Sequence, residues 1–167
     1  MQTFLPYKDF NKSAQVLDSK RLNKQILEGY QILKVLNNPD PKAAWRNHPA
    51  VKMWRGYEHT LFGYILSMVV EADKRGIKTI NNKNNIIELR KNTVQNWGQK
   101  DPDWYSNENF MKLITTTHKA NLYRKDNIYY EDFQDAAKSK YNKPCCDKCN
   151  YFWVTHVLDK KNKINSV

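Results

Sequence analysis

Four polar side chains between positions 21 and 28 recur at helical spacing. At 100° per residue, Arg21, Lys24, Gln25 and Glu28 fall within about 100° of arc. One carboxylate therefore shares a helix face with two cations and an amide. A carboxylate held in that way can act as a general base or stabilise a cationic transition state. The same spacing also fits a plain ion pair between Lys24 and Glu28, worth about 0.3 kcal/mol. A second patch lies further along the chain. His118, Asn121 and Lys125 fall within about 60° of arc, with Arg124 beside them. These types suit contacts to phosphate or to a base edge. They equally suit a helix C-terminus that favours positive charge.

Trp45-Arg46-Asn47-His48-Pro49 begins another helix. Backbone N–H groups at a helix N-terminus can receive a phosphate, with Arg46 and His48 adding charge. His48 can instead cap the helix. Arg55 and His59, on one side of that helix with Lys52, can meet phosphates or form a solvated face. Trp97, Trp104, Tyr105, Tyr129 and Tyr130 offer flat surfaces on which an unpaired base can stack, though core packing accounts for most aromatics. Cys146-x-x-Cys149, with Cys145 before it and His156 after it, has the ligand types of a zinc site. A single CxxC without a second cysteine pair is a weak signal, so free thiols are the expectation and no metal ligand is assigned. No Walker loop, GxGxxG, HExxH or serine nucleophile elbow occurs.

These side chains need a scaffold, and the composition says which. Only five glycines and few β-branched runs in 167 residues point to helix. The sequence predicts an all-α chain: an extended N-terminal arm over residues 1–12, then helices over Ser13–Leu36, Pro49–Lys74, Asn81–Trp97, Glu108–Arg124 and Tyr129–Tyr141. Pro39 and Pro41 end the first, Pro49 opens the second and Gly76 stops it. Val51, Trp54, Tyr57, Leu61, Tyr64, Ile65, Met68 and Val69 form one apolar arc and carry the core. One compact domain is expected over residues 1–143, with a short, irregular, cysteine-containing extension over 144–167 packed on it.

Lys and Arg total 28 against 17 Asp and Glu, for a net charge of +11. The basic residues are spread along the chain, which favours a polyanionic partner bound by the folded surface. No apolar run approaches the roughly 20 residues needed to cross a bilayer, so no membrane partner is expected. The N-terminus lacks a basic segment followed by an apolar stretch, and three clustered cysteines are no disulfide framework. A reducing, cytoplasmic location follows as the expectation.

One order of features stands out: the Phe4-Leu5-Pro6-Tyr7 arm; Leu17-Asp18 through Arg21-Leu22 to Glu28; Asn47-His48-Pro49-Ala50-Val51 with Trp54; Lys74-Arg75-Gly76; Asn121-Leu122 with Arg124-Lys125; and Tyr129-Tyr130. In this order the chain resembles the pyrimidine-dimer DNA glycosylase, or endonuclease V, family, and its bacterial branch in particular. The resemblance covers about the first 130 residues. It implies an all-helical fold, no cofactor, and action on damaged duplex DNA. In that family the N-terminal amine attacks C1′ of the damaged nucleotide, and an imine leads to base release and strand cleavage. Glu28 matches the family's catalytic glutamate, and Lys125 matches a basic residue near the DNA backbone. Asn121 stands where the phage branch has an arginine.

The family exposes its amine by removing the initiator Met, whereas Gln2 here is too large for that step. Three routes remain open: the amine of Met1, a lysine such as Lys20 or Lys24, or water with Glu28 as base. The sequence is therefore read as a monomeric DNA N-glycosylase, with or without AP-lyase activity. It would act on a pyrimidine dimer or a modified base flipped out of duplex DNA. Glu28, Met1 and Lys24 are the catalytic candidates. Arg21, Gln25, Arg46, Asn47, His48, Arg55, His118, Asn121, Arg124 and Lys125 are the candidate DNA contacts. The competing reading is a non-catalytic nucleic-acid-binding protein on the same scaffold.

Overall fold

Two aspartates decide where the first helices begin. Asp9 Oδ1 accepts the Lys12 N–H at 2.8 Å and opens α1, Phe10–Val16. Asp18 Oδ1 accepts the Arg21 N–H at 2.9 Å and opens α2, Ser19–Leu36. The helix expected over Ser13–Leu36 is thus two helices with an extended Leu17 between them. The physical reason is local competition: an aspartate oxygen takes a backbone N–H that a continuous helix would have used. Arg75 closes the end so created, donating to the carbonyls of Leu17 at 2.6 Å and Gln15 at 2.7 Å.

The computed structural model describes residues 1–158, so positions 159–167 of the expected extension lie outside the described residues. Among the described residues the secondary structure is helical, with no strand, as the composition predicts. They divide into two compact units, one of Met1–Phe4 with Asp9–Pro102, the other of Leu5–Lys8 with the chain from Asp103 onward.

In the first unit, α3 spans Pro49–Trp54, α4 Glu58–Lys74 and α5 Ile80–Thr93. The expected Pro49–Lys74 helix is interrupted at Arg55-Gly56-Tyr57, where Gly56 takes a φ of +82°. Glu58 holds the break by accepting the N–H groups of Gly56 at 3.0 Å and Gly98 at 2.9 Å. Gly98 has no room for a side chain, since a Cβ there would sit 1.7 Å from the Gly56 carbonyl oxygen. The break also divides the basic stripe expected along one helix, and His59 instead lies edge-on to Trp97 at 5.4 Å. Asn37 caps α2 through the Leu33 carbonyl, and Gly76 stops α4 at φ +68°. The core forms where α2 meets α4: Leu22, Ile26, Ile32 and Leu33 face Leu61, Ile65 and Met68, all fully buried. Gly29 permits the close crossing, because a Cβ there would lie 2.6 Å from Ile65 Cγ1.

In the second unit, α6 spans Asp103–Ser106, α7 Glu108–Lys125 and α8 Gln134–Lys138. Asn107 caps α7 through the Phe110 N–H at 3.0 Å. The helix expected over Tyr129–Tyr141 is cut down to a 3-10 turn at Glu131–Phe133 and α8. Asp126 and Ser139 take the Tyr129 and Tyr141 N–H groups at either end, again by side-chain competition for the backbone. Residues 144–153 form no regular element and 154–158 are helical. Phe152, Trp153 and Val154 are nevertheless buried, and the Phe152 N–H donates to Thr117 Oγ1 of α7 at 3.2 Å.

Candidate active site at the chain's N-terminus

The first four residues are held mostly by side chains. Phe4 N–H donates to Gln25 Oε1 at 2.8 Å, and Tyr64 Oη donates to the same oxygen at 2.7 Å. Trp54 Nε1 donates to Thr3 Oγ1 at 3.0 Å. Gln25, Trp54 and Tyr64 are fully buried. Desolvation pushes the Tyr64 hydroxyl well above its ordinary value, so it stays a neutral donor. An extended segment with no neighbouring strand thereby finds partners for its amides.

The same segment meets the carboxylate of Glu28. The Gln2 N–H donates to Glu28 Oε2 at 3.2 Å, and Gln25 Nε2 donates to that oxygen at 3.2 Å. Backbone geometry then places the amine of Met1 within roughly 7 Å of the carboxylate. Lys24 Nζ stands 3.8 Å from Glu28 Oε1, with its side chain 66 % exposed against 13 % for Glu28. Glu28 is thus sheltered, fixed on one oxygen by two N–H groups, and faced by an exposed cation on the other.

Met1 also lines a hollow of about 330 Å³, together with Gln31, Lys34, Val35 and Trp45. Gln31 and Val35 continue the Lys24–Glu28 face of α2, three and seven residues beyond Glu28. Trp45 is 60 % exposed and has a φ of +69°, a left-handed conformation costly for a bulky residue. Its ring lies 5.6 Å from that of His48. His48 caps α3 by accepting the Ala50 N–H on Nδ1 at 3.1 Å. Partial burial, and then the positive charge of the N-terminus, lower its pKa.

The remaining candidates divide by exposure. Arg55 braces the loop by donating to the Arg46 carbonyl at 2.5 Å, and Arg46 donates to the Asn38 carbonyl at 2.9 Å. Asn47 and Arg55 are exposed and Arg46 is half-buried. Arg21 is paired with Asp18 at 2.5 Å. In the second unit Arg124 and Lys125 are exposed on the last turn of α7. Gln25, His118 and Asn121, expected among the DNA contacts, are instead buried, and their polar atoms bond to other groups of the protein. His118 accepts the Leu5 N–H on Nδ1 at 2.7 Å, and burial lowers its pKa to about 3. Asn121 donates to the carbonyls of Thr117 and Asn150 and accepts from Arg124. A second hollow, of about 380 Å³, lies beside Asn121 and Arg124. Sulfur and nitrogen ligand atoms of Cys145, Cys146, Cys149 and His156 gather within 4.8 Å of one another.

Sequence reasoning missed Gln31, Lys34, Val35 and Trp45. The two residues on the Glu28 face were readable from helical spacing. Trp45 carried no signal, since its position depends on an irregular loop.

Residues 1–85, which include Met1, Glu28, the hollow and α1 through α4, match the pyrimidine dimer DNA glycosylase family. This chain belongs to that family. No curated protein and no solved structure matches it. Membership assigns the glycosylase its general activity, base excision at pyrimidine dimers, and DNA as its substrate. No helix among the described residues is long and apolar enough to cross a membrane.

Proposed function

We propose that this glycosylase acts as a cytoplasmic monomer on duplex DNA, excising a dimer base through an imine formed on the amine of Met1 and then breaking the strand. The observation that carries the reading is the 3.2 Å bond from the Gln2 N–H to Glu28 Oε2, which tethers the N-terminus to a sheltered carboxylate. The neutral amine attacks C1′ as the glycosidic bond breaks, its electron pair leaving with the base. Glu28 takes the proton that the amine sheds and returns it to O4′ as the sugar ring opens to the imine. Loss of a C2′ proton then expels the 3′ phosphate by β-elimination. Water finally hydrolyses the imine and frees the amine.

The remaining residues divide the work. Lys24, 3.8 Å from Glu28, balances the carboxylate and faces solvent where a phosphate can approach. The hollow beside Met1 lies within the roughly 300–1,000 Å³ range of small-molecule sites, and Trp45 offers a face on which a displaced base can stack. Arg21, Arg46, Asn47, Arg55, Arg124 and Lys125 supply backbone contacts. Gln25, His118 and Asn121 position the arm and α7, and His48 positions the loop.

The test is incubation of the full chain with a duplex carrying one cyclobutane dimer, with borohydride present. The expected result is a covalent adduct whose peptide map ends at Met1. An adduct on Lys20 or Lys24 overturns the assignment of the amine. Scission of the glycosidic bond without an adduct replaces the imine by water attack with Glu28 as base. Binding without release from dimer, abasic or modified-pyrimidine duplexes leaves a non-catalytic DNA-binding protein.

A further inference from the structure

The cysteine cluster lies in the second unit, outside everything the glycosylase reading uses. Cys145 Sγ is 3.1 Å from His156 Nδ1, and Cys149 Sγ is 3.7 Å from the same nitrogen. Cys146 Sγ is 2.7 Å from Cys149 Sγ. All four ligand atoms lie within 4.8 Å of one another. Around a tetrahedral zinc, with Zn–S about 2.3 Å and Zn–N about 2.0 Å, neighbouring ligand atoms stand about 3.5–3.8 Å apart, so a bound ion would keep the 3.7 Å contact and spread those at 2.7 Å and 3.1 Å. Thiols are weak donors and weak acceptors, so hydrogen bonding alone gives three sulfurs and an imidazole little reason to converge.

The backbone is arranged around the same point. Cys146-x-x-Cys149 closes a turn in which the Cys149 N–H donates to the Cys146 carbonyl at 3.0 Å. Cys145 is fixed by its N–H to the Tyr151 carbonyl at 3.3 Å, and His156 by its N–H to the Trp153 carbonyl at 3.1 Å.

We propose that Cys145, Cys146, Cys149 and His156 form a structural zinc site that fastens residues 144–158 against α7. Four protein ligands fill the tetrahedron and leave no open position, so the metal holds structure and activates no water. What it would hold is otherwise weakly held. Residues 144–153 have no regular secondary structure, yet Phe152 and Trp153 are buried and Asn150 receives the Asn121 amide. Tyr151 also lies edge-on to the His118 ring at 5.3 Å. A closed metal knot supplies the local order that such a short irregular segment lacks.

The test uses the full chain purified under reducing conditions without added chelator. Elemental analysis is expected to find about one zinc per chain. Cobalt exchanged into the site is expected to give thiolate charge-transfer absorption and the intense visible bands of a tetrahedral ion. Cys146→Ser with Cys149→Ser is expected to lose at least nine-tenths of the bound metal. Should that variant fail to fold, titration of the native chain with a mercurial decides, because zinc must leave in proportion to the thiols modified. Removal of zinc is expected to expose Trp153, read as a red shift in tryptophan emission, and to open the 144–158 amides to hydrogen exchange. Reduced protein that carries no zinc and takes up neither zinc nor cobalt overturns the proposal. So does a stable Cys146–Cys149 disulfide in metal-free protein, or metal that stays bound after both substitutions.

Discussion

Replacing Glu28 with Gln separates catalysis from folding at the carboxylate that accepts the Gln2 N–H. In the native chain Oε2 accepts from the Gln2 N–H and from Gln25 Nε2, both at 3.2 Å. The glutamine oxygen can occupy that place and keep both bonds. The new amide nitrogen then stands where Oε1 faced Lys24 at 3.8 Å. That pair is exposed on the lysine side, so its loss costs about 0.5 kcal/mol. The fold should therefore lose less than about 1 kcal/mol. The proton acceptor disappears altogether, and general acid–base catalysis is worth about 10²- to 10⁴-fold, or roughly 2.7–5.5 kcal/mol of barrier. Affinity for DNA should hold or rise, because a negative charge near the phosphates is gone. The assay is single-turnover cleavage of a duplex with one dimer, run beside fluorescence anisotropy and a urea melt. A Glu28→Gln chain that cleaves within about threefold of the native rate refutes the assigned role. Loss of cleavage matched by equal loss of binding or stability refutes it as well, since Glu28 would then be a strut for the arm.

Trp45→Ala should leave the thermal midpoint nearly unchanged, because the ring is 60 % exposed. If the ring stacks on a displaced base, affinity for lesion DNA should fall by about 5- to 150-fold, from the roughly 1–3 kcal/mol of base–aromatic stacking, as read by anisotropy against undamaged duplex. His118 has a folded pKa of about 3 against an ordinary 6.5, so the unfolded chain binds its proton first as pH falls. Its contribution is complete above pH 6.5 and is lost from there downward, at no more than about 1.4 kcal/mol per pH unit. Between pH 6.5 and 5 the native chain should thus lose about 1.6 kcal/mol more stability in urea melts than His118→Asn, which keeps an acceptor for the Leu5 N–H. Gly98→Ala should cost about 2–4 kcal/mol and lower the thermal midpoint by several degrees, because its Cβ would sit 1.7 Å from the Gly56 oxygen.

The helical class, the helix stops and the polar face around Glu28 were legible because each is a local matter. Pro39, Pro41, Pro49 and Gly76 act on backbone angles within a few residues, and Lys24 meets Glu28 across one turn. Where local reading failed, a stronger local competitor was overlooked or a distant partner intervened. Asp18 falls inside the stretch that reads as one helix, although its side chain caps the second of the two that form. Nothing near Gly56 in the sequence marks its contact with Gly98, and Glu58 closes that break from a position that reads as the interior of the expected Pro49–Lys74 helix.

What the amino-acid order determined alone was periodicity, charge and the chemical types on each helix face. Tertiary structure decided which of those types meet. Gln25 and His118 look alike as polar members of basic faces, yet each is buried on an amide of the N-terminal segment, 21 and 113 residues away along the chain. Glu28 acquires its tie to the N-terminus from 26 residues away. Three cysteines and a histidine that read as free groups converge to within 4.8 Å. Helical spacing is set by bonds four residues long, whereas burial and partnership depend on how whole elements come together in the folded chain.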